Sequence, residues 1–479
     1  MGSIKRNIFY NSILTISSYI FPLITFPYVT RVLGVNNIGI CNFVDSIIQY
    51  FICFSMMGVM TVGTREIART RGDKKLLSKT FSELLTLNLI ATVIMILVLF
   101  LCVMFLPFFH DYEQMLYVGM AKILASTLLV EWLFKGLEDF KYVTGRTIII
   151  RCLYVISIFI LVKDKDDYFL YFTLTSFVVV INAIVNIVYS RKFVYYSIKE
   201  INIRLYLKPF LILGVYMLLT SMYTTFNVVY LGFVTNSVEV GYYTTATKLY
   251  ILIMSLFTAY TGVMMPRMSM LLAEGDFQEF RRLTDKSLDV LFAFAMPVVV
   301  ISEVCAPHIV RIVAGVGYEG AIFPMRLVMP LMFVICYEQV LVVQILSPMK
   351  KDAAIFRNSM IGASVGIIFN IILVSHFASS GTAIVWILSE FAVMLSAQYY
   401  VCKYIQFRIP VVAFLKRIIL MFPILLIALY IEYVIESIWL SLISVSIIVV
   451  IYCLSVEIAI LKNDLVENSL MVVLKRFHK

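Results

Sequence analysis

Fourteen apolar stretches, each about twenty residues long and parted by short polar breaks, run from Ile8 to Ile460 and leave little chain for anything else. A hydrocarbon core about 30 Å thick takes about twenty helical residues to cross, and in lipid the backbone satisfies its own hydrogen bonds only as helix or closed barrel. Continuous apolar runs of this length exclude barrel strands, which alternate in polarity and are shorter. The expected fold is therefore an all-α polytopic membrane protein. The predicted spans are 8–31, 38–62, 83–108, 114–136, 144–162, 168–190, 209–233, 240–265, 287–310, 321–346, 355–376, 381–402, 411–432 and 437–460.

Charge placement orients these spans. Only 14% of the residues are charged, against about 25% in soluble chains. The net charge of +10 would suggest a nucleic-acid partner in a soluble protein, but here the basic residues fall in alternate loops, and no nucleic acid is expected. Arg65, Arg69, Arg71, Lys74, Lys75 and Lys79 share one side with Lys135, Lys141 and Arg146, and with Arg191, Lys192, Lys199, Arg204 and Lys208. The same side holds Arg267, Arg281, Arg282, Lys286, Lys350, Lys351, Arg357, Lys403, Arg408, Lys416 and Arg417, and the tail Lys475, Arg476 and Lys479. This positive-inside bias predicts cytoplasmic termini. Lys5 and Arg6 precede a first run that holds Pro22 and Pro27 and lacks a small-residue cleavage site, which reads as a retained span rather than a signal peptide. The eight cysteines lie in or beside apolar spans, so neither a disulfide framework nor a metal site is expected.

The chain repeats itself. Gly39 matches Gly241 and Arg65 matches Arg267, both at an offset of 202 residues, and Gly72-Asp73 matches Gly275-Asp276 at 203. An even number of spans separates the copies, so two six-helix lobes of like orientation are expected, with a pseudo-two-fold axis along the membrane normal. The predicted organisation is an N-lobe over 1–195, an amphipathic linker and C-lobe over 196–410, and two extra spans with a cytoplasmic tail over 411–479. The linker runs from Arg191 to Lys208, with Ile198, Ile201, Leu205 and Tyr206 set among Lys199, Arg204 and Lys208.

No loop exceeds about twenty residues, and no phosphate-binding glycine loop, nucleophile elbow or metal-spaced cluster appears, so no catalytic residue is assigned. Charges at membrane depth cost about 3 kcal/mol each on insertion scales, which makes them the candidates for function. Arg31 follows Pro27 at the end of the first span and Asp45 lies in the second, reading either as an anion contact with its neighbour or as a structural ion pair. Lys248 sits two to three turns into the eighth span, too deep for simple snorkelling. Arg65 and Arg267 form either a two-armed anion gate or ordinary positive-inside anchors. Glu338 and Glu390 are deep acids suited to proton or sodium coupling or to a helix-to-helix hydrogen bond, with Asp45 as counter-ion. Glu131, four residues before Lys135, reads as a helix-end ion pair.

Two segments carry a family resemblance: FPLITFPYVTRVLGVNNIGICNFVDSIIQYF and GTREIARTRGDKKLLSKTFSELL. They resemble the bacterial O-antigen and capsule repeat-unit flippases of the multidrug/oligosaccharidyl-lipid/polysaccharide exporter superfamily, whose architecture is two six-span lobes with two extra spans. The resemblance implies a non-enzymatic carrier that moves an undecaprenyl-diphosphate-linked oligosaccharide from the inner to the outer leaflet of the cytoplasmic membrane by alternating access. It implies the bilayer, polysaccharide polymerase and chain-length proteins as surroundings and partners, and no cofactor. Arg31, Arg65 and Arg267 match the positions at which the related lipid II flippases use arginines for the lipid diphosphate, and Lys248 joins them as a deep cation. A multidrug or organic-ion antiporter of the same superfamily is the alternative, and a membrane-embedded glycosyltransferase or polymerase a more distant one.

Overall fold

The computed structural model describes residues 4–197 and 201–463, and every regular element in it is helical. Ile198 and Lys199 of the predicted linker, and Lys475, Arg476 and Lys479 of the tail, lie outside the described residues. Among the described residues, eleven helical stretches are long and apolar enough to cross a membrane, or twelve if the bent pair Glu319–Val328 and Leu331–Leu346 is one span. The difference from the sequence count has a local cause. Two predicted span boundaries are sharp kinks, at Gly34 and at Ala378, with no loop between the helices on either side, so residues Ser12–Thr70 and Asp352–Ile405 each count as a single stretch. The chain divides into two compact units after Gly241.

The first unit contains α1 (Ile4–Met56), α2 (Val59–Thr70), α3 (Lys74–Phe105), α4 (Glu113–Leu128), α5 (Glu131–Gly136), α6 (Phe140–Leu161), α7 (Tyr168–Ser190), α8 (Arg204–Ser221) and α9 (Thr225–Val234). Two prolines, Pro22 and Pro27, lie inside α1. Proline removes the backbone donor to the carbonyl four residues earlier, Ser18 for Pro22 and Leu23 for Pro27. Thr25 and Thr30 add side-chain bonds back into the same helix, to the Phe21 carbonyl at 3.1 Å and the Phe26 carbonyl at 2.8 Å. The helix breaks at Gly34, whose φ of 75° and ψ of 170° no side chain adopts readily. Asp73 caps α3 by accepting from the Lys75 and Leu76 amides, which starts a 32-residue helix directly after the Gly72 turn. The core on this side is aromatic and aliphatic, with Trp132 and Phe134 of α5 fully buried among Val59, Val62, Phe81 and Leu84. Residues 191–197 are a turn followed by extended chain, tied to α3 by the Tyr195 amide on Ser78 Oγ (3.2 Å) and the Ser197 amide on Ser82 Oγ (3.0 Å).

α10 (Ser237–Glu274) begins in the first unit and continues into the second. The second unit adds α11 (Phe277–Val313), α12 (Ile322–Val328), α13 (Leu331–Gln339), α14 (Asp352–Phe369), α15 (Ser375–Ile405), α16 (Val411–Val434) and α17 (Ile438–Ser455). α14 and α15 form an antiparallel pair, joined through a π-helical turn at Asn370–Val374 and a break at Ala378. α16 and α17, the two spans outside the repeat, both pack on α11. Their attachment is polar as well as apolar. Arg417 of α16, 7% exposed, donates to Asp289 of α11 at 2.7 Å and to Glu457 at 3.4 Å, and its guanidinium lies 4.3 Å from the Phe292 ring centroid.

Candidate functional site

The polar groups inside the first unit gather on α1, α4, α6 and α7. Beyond the Gly34 break, Asp45 of α1 accepts a hydrogen bond from Lys122 Nζ of α4. The lysine side chain is 12% exposed and the carboxylate 45%, so the charge pair is buried on one side and open on the other. Tyr154 and Tyr171 are hydrogen-bonded to each other within electrostatic reach of Asp45. Arg31, on the other arm of α1, is exposed and donates to the Pro27 carbonyl one turn before it at 2.7 Å.

Within the first unit the packing pairs Asp45 with Lys122, a partner not singled out from the sequence. Lys122 lies well inside the predicted span 114–136, where the cost of a charge at membrane depth marks it as firmly as Arg31. Arg65 is exposed on α2 and paired with Glu66 at 2.8 Å, and Glu66 also takes Arg69 at 3.2 Å.

In the second unit, Lys248 and Arg267 stand on exposed faces of α10. Glu338 of α13 and Glu390 of α15, considered separately in the sequence, lie in hydrogen-bonding contact with each other. A hydrogen bond between two carboxyl groups requires that one carry a proton, since ionised carboxylates only accept. Trp386 Nε1, one turn before Glu390, donates to its Oε1 at 2.9 Å. The Tyr250 ring meets the Trp386 ring edge-on with centroids 5.2 Å apart, and its buried hydroxyl has no hydrogen-bond partner. Glu338 lies just before the π-helical segment Val340–Leu346, the kind of local widening often found where a helix serves a site. The two carboxyl groups, the Trp386 donor and the Tyr250 ring thus form one compact cluster between α10, α13 and α15.

Two further acids lie inside the predicted spans 287–310 and 437–460 and carry the same signal in the sequence. Glu303 of α11 has a buried Oε1 without a hydrogen-bond partner, and Glu457 is 1% exposed against Arg417. Glu131 pairs with Lys135 at 3.7 Å, as its spacing suggested, and also with Arg146 at 3.2 Å.

Comparison with known proteins places this architecture. The chain is 26% identical over 347 residues to a candidate O-antigen transporter of Escherichia coli (strain K12), covering 72% of this chain and 83% of the relative. A candidate O-antigen transporter of Shigella dysenteriae is 26% identical over 399 residues, covering 82% of this chain and 98% of the relative. Among solved structures, the lipid II flippase MurJ in an inward closed conformation superposes with a TM-score of 0.77 at 16% identity, covering 94% of this chain and 99% of that one. An inward-facing multidrug resistance MATE transporter of the MOP superfamily superposes with a TM-score of 0.59 at 14% identity, covering 82% of this chain and 95% of that one. The family model described as polysaccharide biosynthesis protein matches residues 4–272, more than half of the 479 residues, and the chain belongs to that family.

Proposed function

We propose that this protein is a flippase that carries undecaprenyl-diphosphate-linked oligosaccharide repeat units from the inner to the outer leaflet of the bacterial cytoplasmic membrane, a transporter and not an enzyme. The observation that carries this reading is the family match together with fold likeness over nearly the whole length of a lipid II flippase. Both curated relatives named for O-antigen transport point to the same class of substrate.

In this reading the chain crosses the membrane fourteen times, counting each merged stretch as two spans and the bent pair as one. It is built as two six-span lobes, 1–195 and the span-bearing part of 196–410, that work by alternating access, and 411–479 adds the extra spans. Both termini are cytoplasmic, and the polymerase and chain-length proteins are partners at the outer face. Arg31, Arg65, Lys248 and Arg267 contact the diphosphate; what supports this is that all four stand exposed on their helices. Asp45 with Lys122 tunes the charge of that surface, and the Glu338 and Glu390 pair takes up the coupling proton or sodium ion.

The test is flipping of a fluorescent undecaprenyl-diphosphate-linked saccharide in proteoliposomes. Arg31→Ala, Arg65→Ala, Lys248→Ala and Arg267→Ala are each expected to lower the rate at matched insertion, and Arg→Lys to retain more than Arg→Ala, because a diphosphate needs positive charge first and fork geometry second. Wild-type rates in all four alanine variants would overturn the assignment of the site, and no flipping by wild-type protein would overturn the function.

A further inference from the structure

Arg146 belongs to a loop-edge group that the positive-inside pattern reads as a topology signal, yet it is 7% exposed. Its Nη2 donates to Glu131 at 3.2 Å and to Thr147 Oγ1 at 2.9 Å, while its Nε and Nη1 are buried with no hydrogen-bond partner. A guanidinium carries five donors in a fixed fork, and buried donors are almost always satisfied, so two idle ones on a single buried cation call for a reason. The neighbouring charges sharpen the point. Arg151, one and a half turns along α6, lies within electrostatic reach of Arg146 and Glu131 and is held by Ser17 (2.7 Å) and Ser18 (3.2 Å) of α1. Lys135 of α5 stands 3.7 Å from Glu131, with a third of its side chain exposed. Glu131 thus pairs with two cations while a third, Arg151, stands within electrostatic reach, so one carboxylate faces three positive charges.

Self-repulsion of that kind is relieved by an anion. A phosphate or diphosphate offers several acceptor oxygens and a charge of about −2, and arginine with lysine is the usual protein complement for it. We propose that Arg146, Arg151 and Lys135 form an anion site in the first unit that takes a phosphate or diphosphate group, with Glu131 as the carboxylate that holds two of the cations in place when the site is empty. None of these residues is among the four cations assigned above to the transported substrate. Arg151 and Lys135 are the accessible rim, and Arg146 the buried base whose idle donors the ligand would engage as the side chains part. Under the proposed topology the site opens toward the cytoplasmic leaflet, where a lipid-linked diphosphate is first met; that place in transport rests on the flippase reading, whereas anion binding does not.

The test is direct binding, independent of flipping. Full-length protein in nanodiscs of zwitterionic lipid is titrated with inorganic pyrophosphate by calorimetry, with and without a short-chain polyprenyl diphosphate in the disc. Wild type is expected to bind pyrophosphate, Arg146→Gln and Arg151→Gln to weaken it tenfold or more, and Arg151→Lys to keep an intermediate affinity. Displacement of pyrophosphate by the polyprenyl diphosphate identifies a lipid headgroup as the ligand, and retention of both identifies a soluble phosphate. If Arg146→Gln fails to fold, Arg151→Gln decides, since its side chain is only half buried and its removal leaves the Glu131 pairs intact. No pyrophosphate binding by wild type, or equal affinity in wild type and Arg151→Gln, overturns the site whether or not the protein flips lipid.

Discussion

Gly39 and Gly241, the landmarks that match across the internal repeat, meet in space. A methyl carbon placed on Gly39 would collide with the Ser237 carbonyl and sit 3.1 Å from the Gly241 amide nitrogen, and one placed on Gly241 would collide with the Val35 carbonyl. Asn36 and Ser237 are hydrogen-bonded beside them. Small residues let two helix backbones approach within contact distance, and here both sides of the contact need one.

A methyl at either glycine has backbone as its obstacle and cannot be absorbed by a rotamer change. Gly39→Ala and Gly241→Ala are each expected to lower stability by about 1–3 kcal/mol, the range for overpacking. Gly262→Ala, where a Cβ would meet nothing within 4 Å, serves as the control and should melt as wild type does. Thermal unfolding in detergent reads the difference, and equal melting of all three variants would show that the approach is loose.

The Lys122 and Asp45 pair predicts coupling between α4 and α1. Lys122→Met and Asp45→Asn each leave one charge without its partner, and the double change should cost less than the two single effects added. A coupling energy of about 1 kcal/mol is expected, toward the low end because the carboxylate is half open. A double-mutant cycle on thermal stability measures it; strict additivity would mean that the pair contributes nothing.

Removing Arg417 leaves Asp289 and Glu457 facing each other without their shared cation. Breaking a buried pair from one side costs about 3–5 kcal/mol, whereas removing both partners with apolar or neutral groups costs less. Arg417→Met should therefore destabilise the packing of α16 and α17 on α11 more than Arg417→Met combined with Asp289→Asn and Glu457→Gln. Protease sensitivity of the segment after residue 410 checks this, and greater sensitivity in the triple variant would reverse the ordering.

Glu390→Gln keeps the shape of the carboxyl and its capacity to accept from Trp386, but it cannot share a titrating proton with Glu338. Gradient-driven flipping in proteoliposomes is expected to fall at least tenfold, with binding of lipid-linked substrate unchanged. A variant that flips and responds to an imposed pH or sodium gradient as wild type does would reduce Glu390 to a structural acid.

Topology is tested by labelling. Asp111 and Asp166 are exposed in loops expected to face outward. Cysteines placed there should react with an impermeant reagent in intact cells, and reaction only after permeabilisation would invert the orientation.

The sequence by itself determined which segments are apolar enough to cross a membrane, that the basic residues gather in alternate breaks between them, and that Asp45, Lys248, Glu338 and Glu390 lie inside apolar segments. Each of these is a one-dimensional property, fixed by the cost of placing charge or unpaired backbone in hydrocarbon. The tertiary structure alone decided who meets whom across helices: Lys122 with Asp45, Glu338 with Glu390, Arg417 with Asp289 and Glu457, and Arg146 buried rather than solvated. The reason is physical. A helix in lipid is apolar on its packed face and on its lipid face alike, so the periodicity that reveals the inner side of a soluble helix is absent. Without that signal the sequence gives a residue's depth along the membrane normal, while its direction around the helix axis, and therefore its partner, is set only when the helices pack.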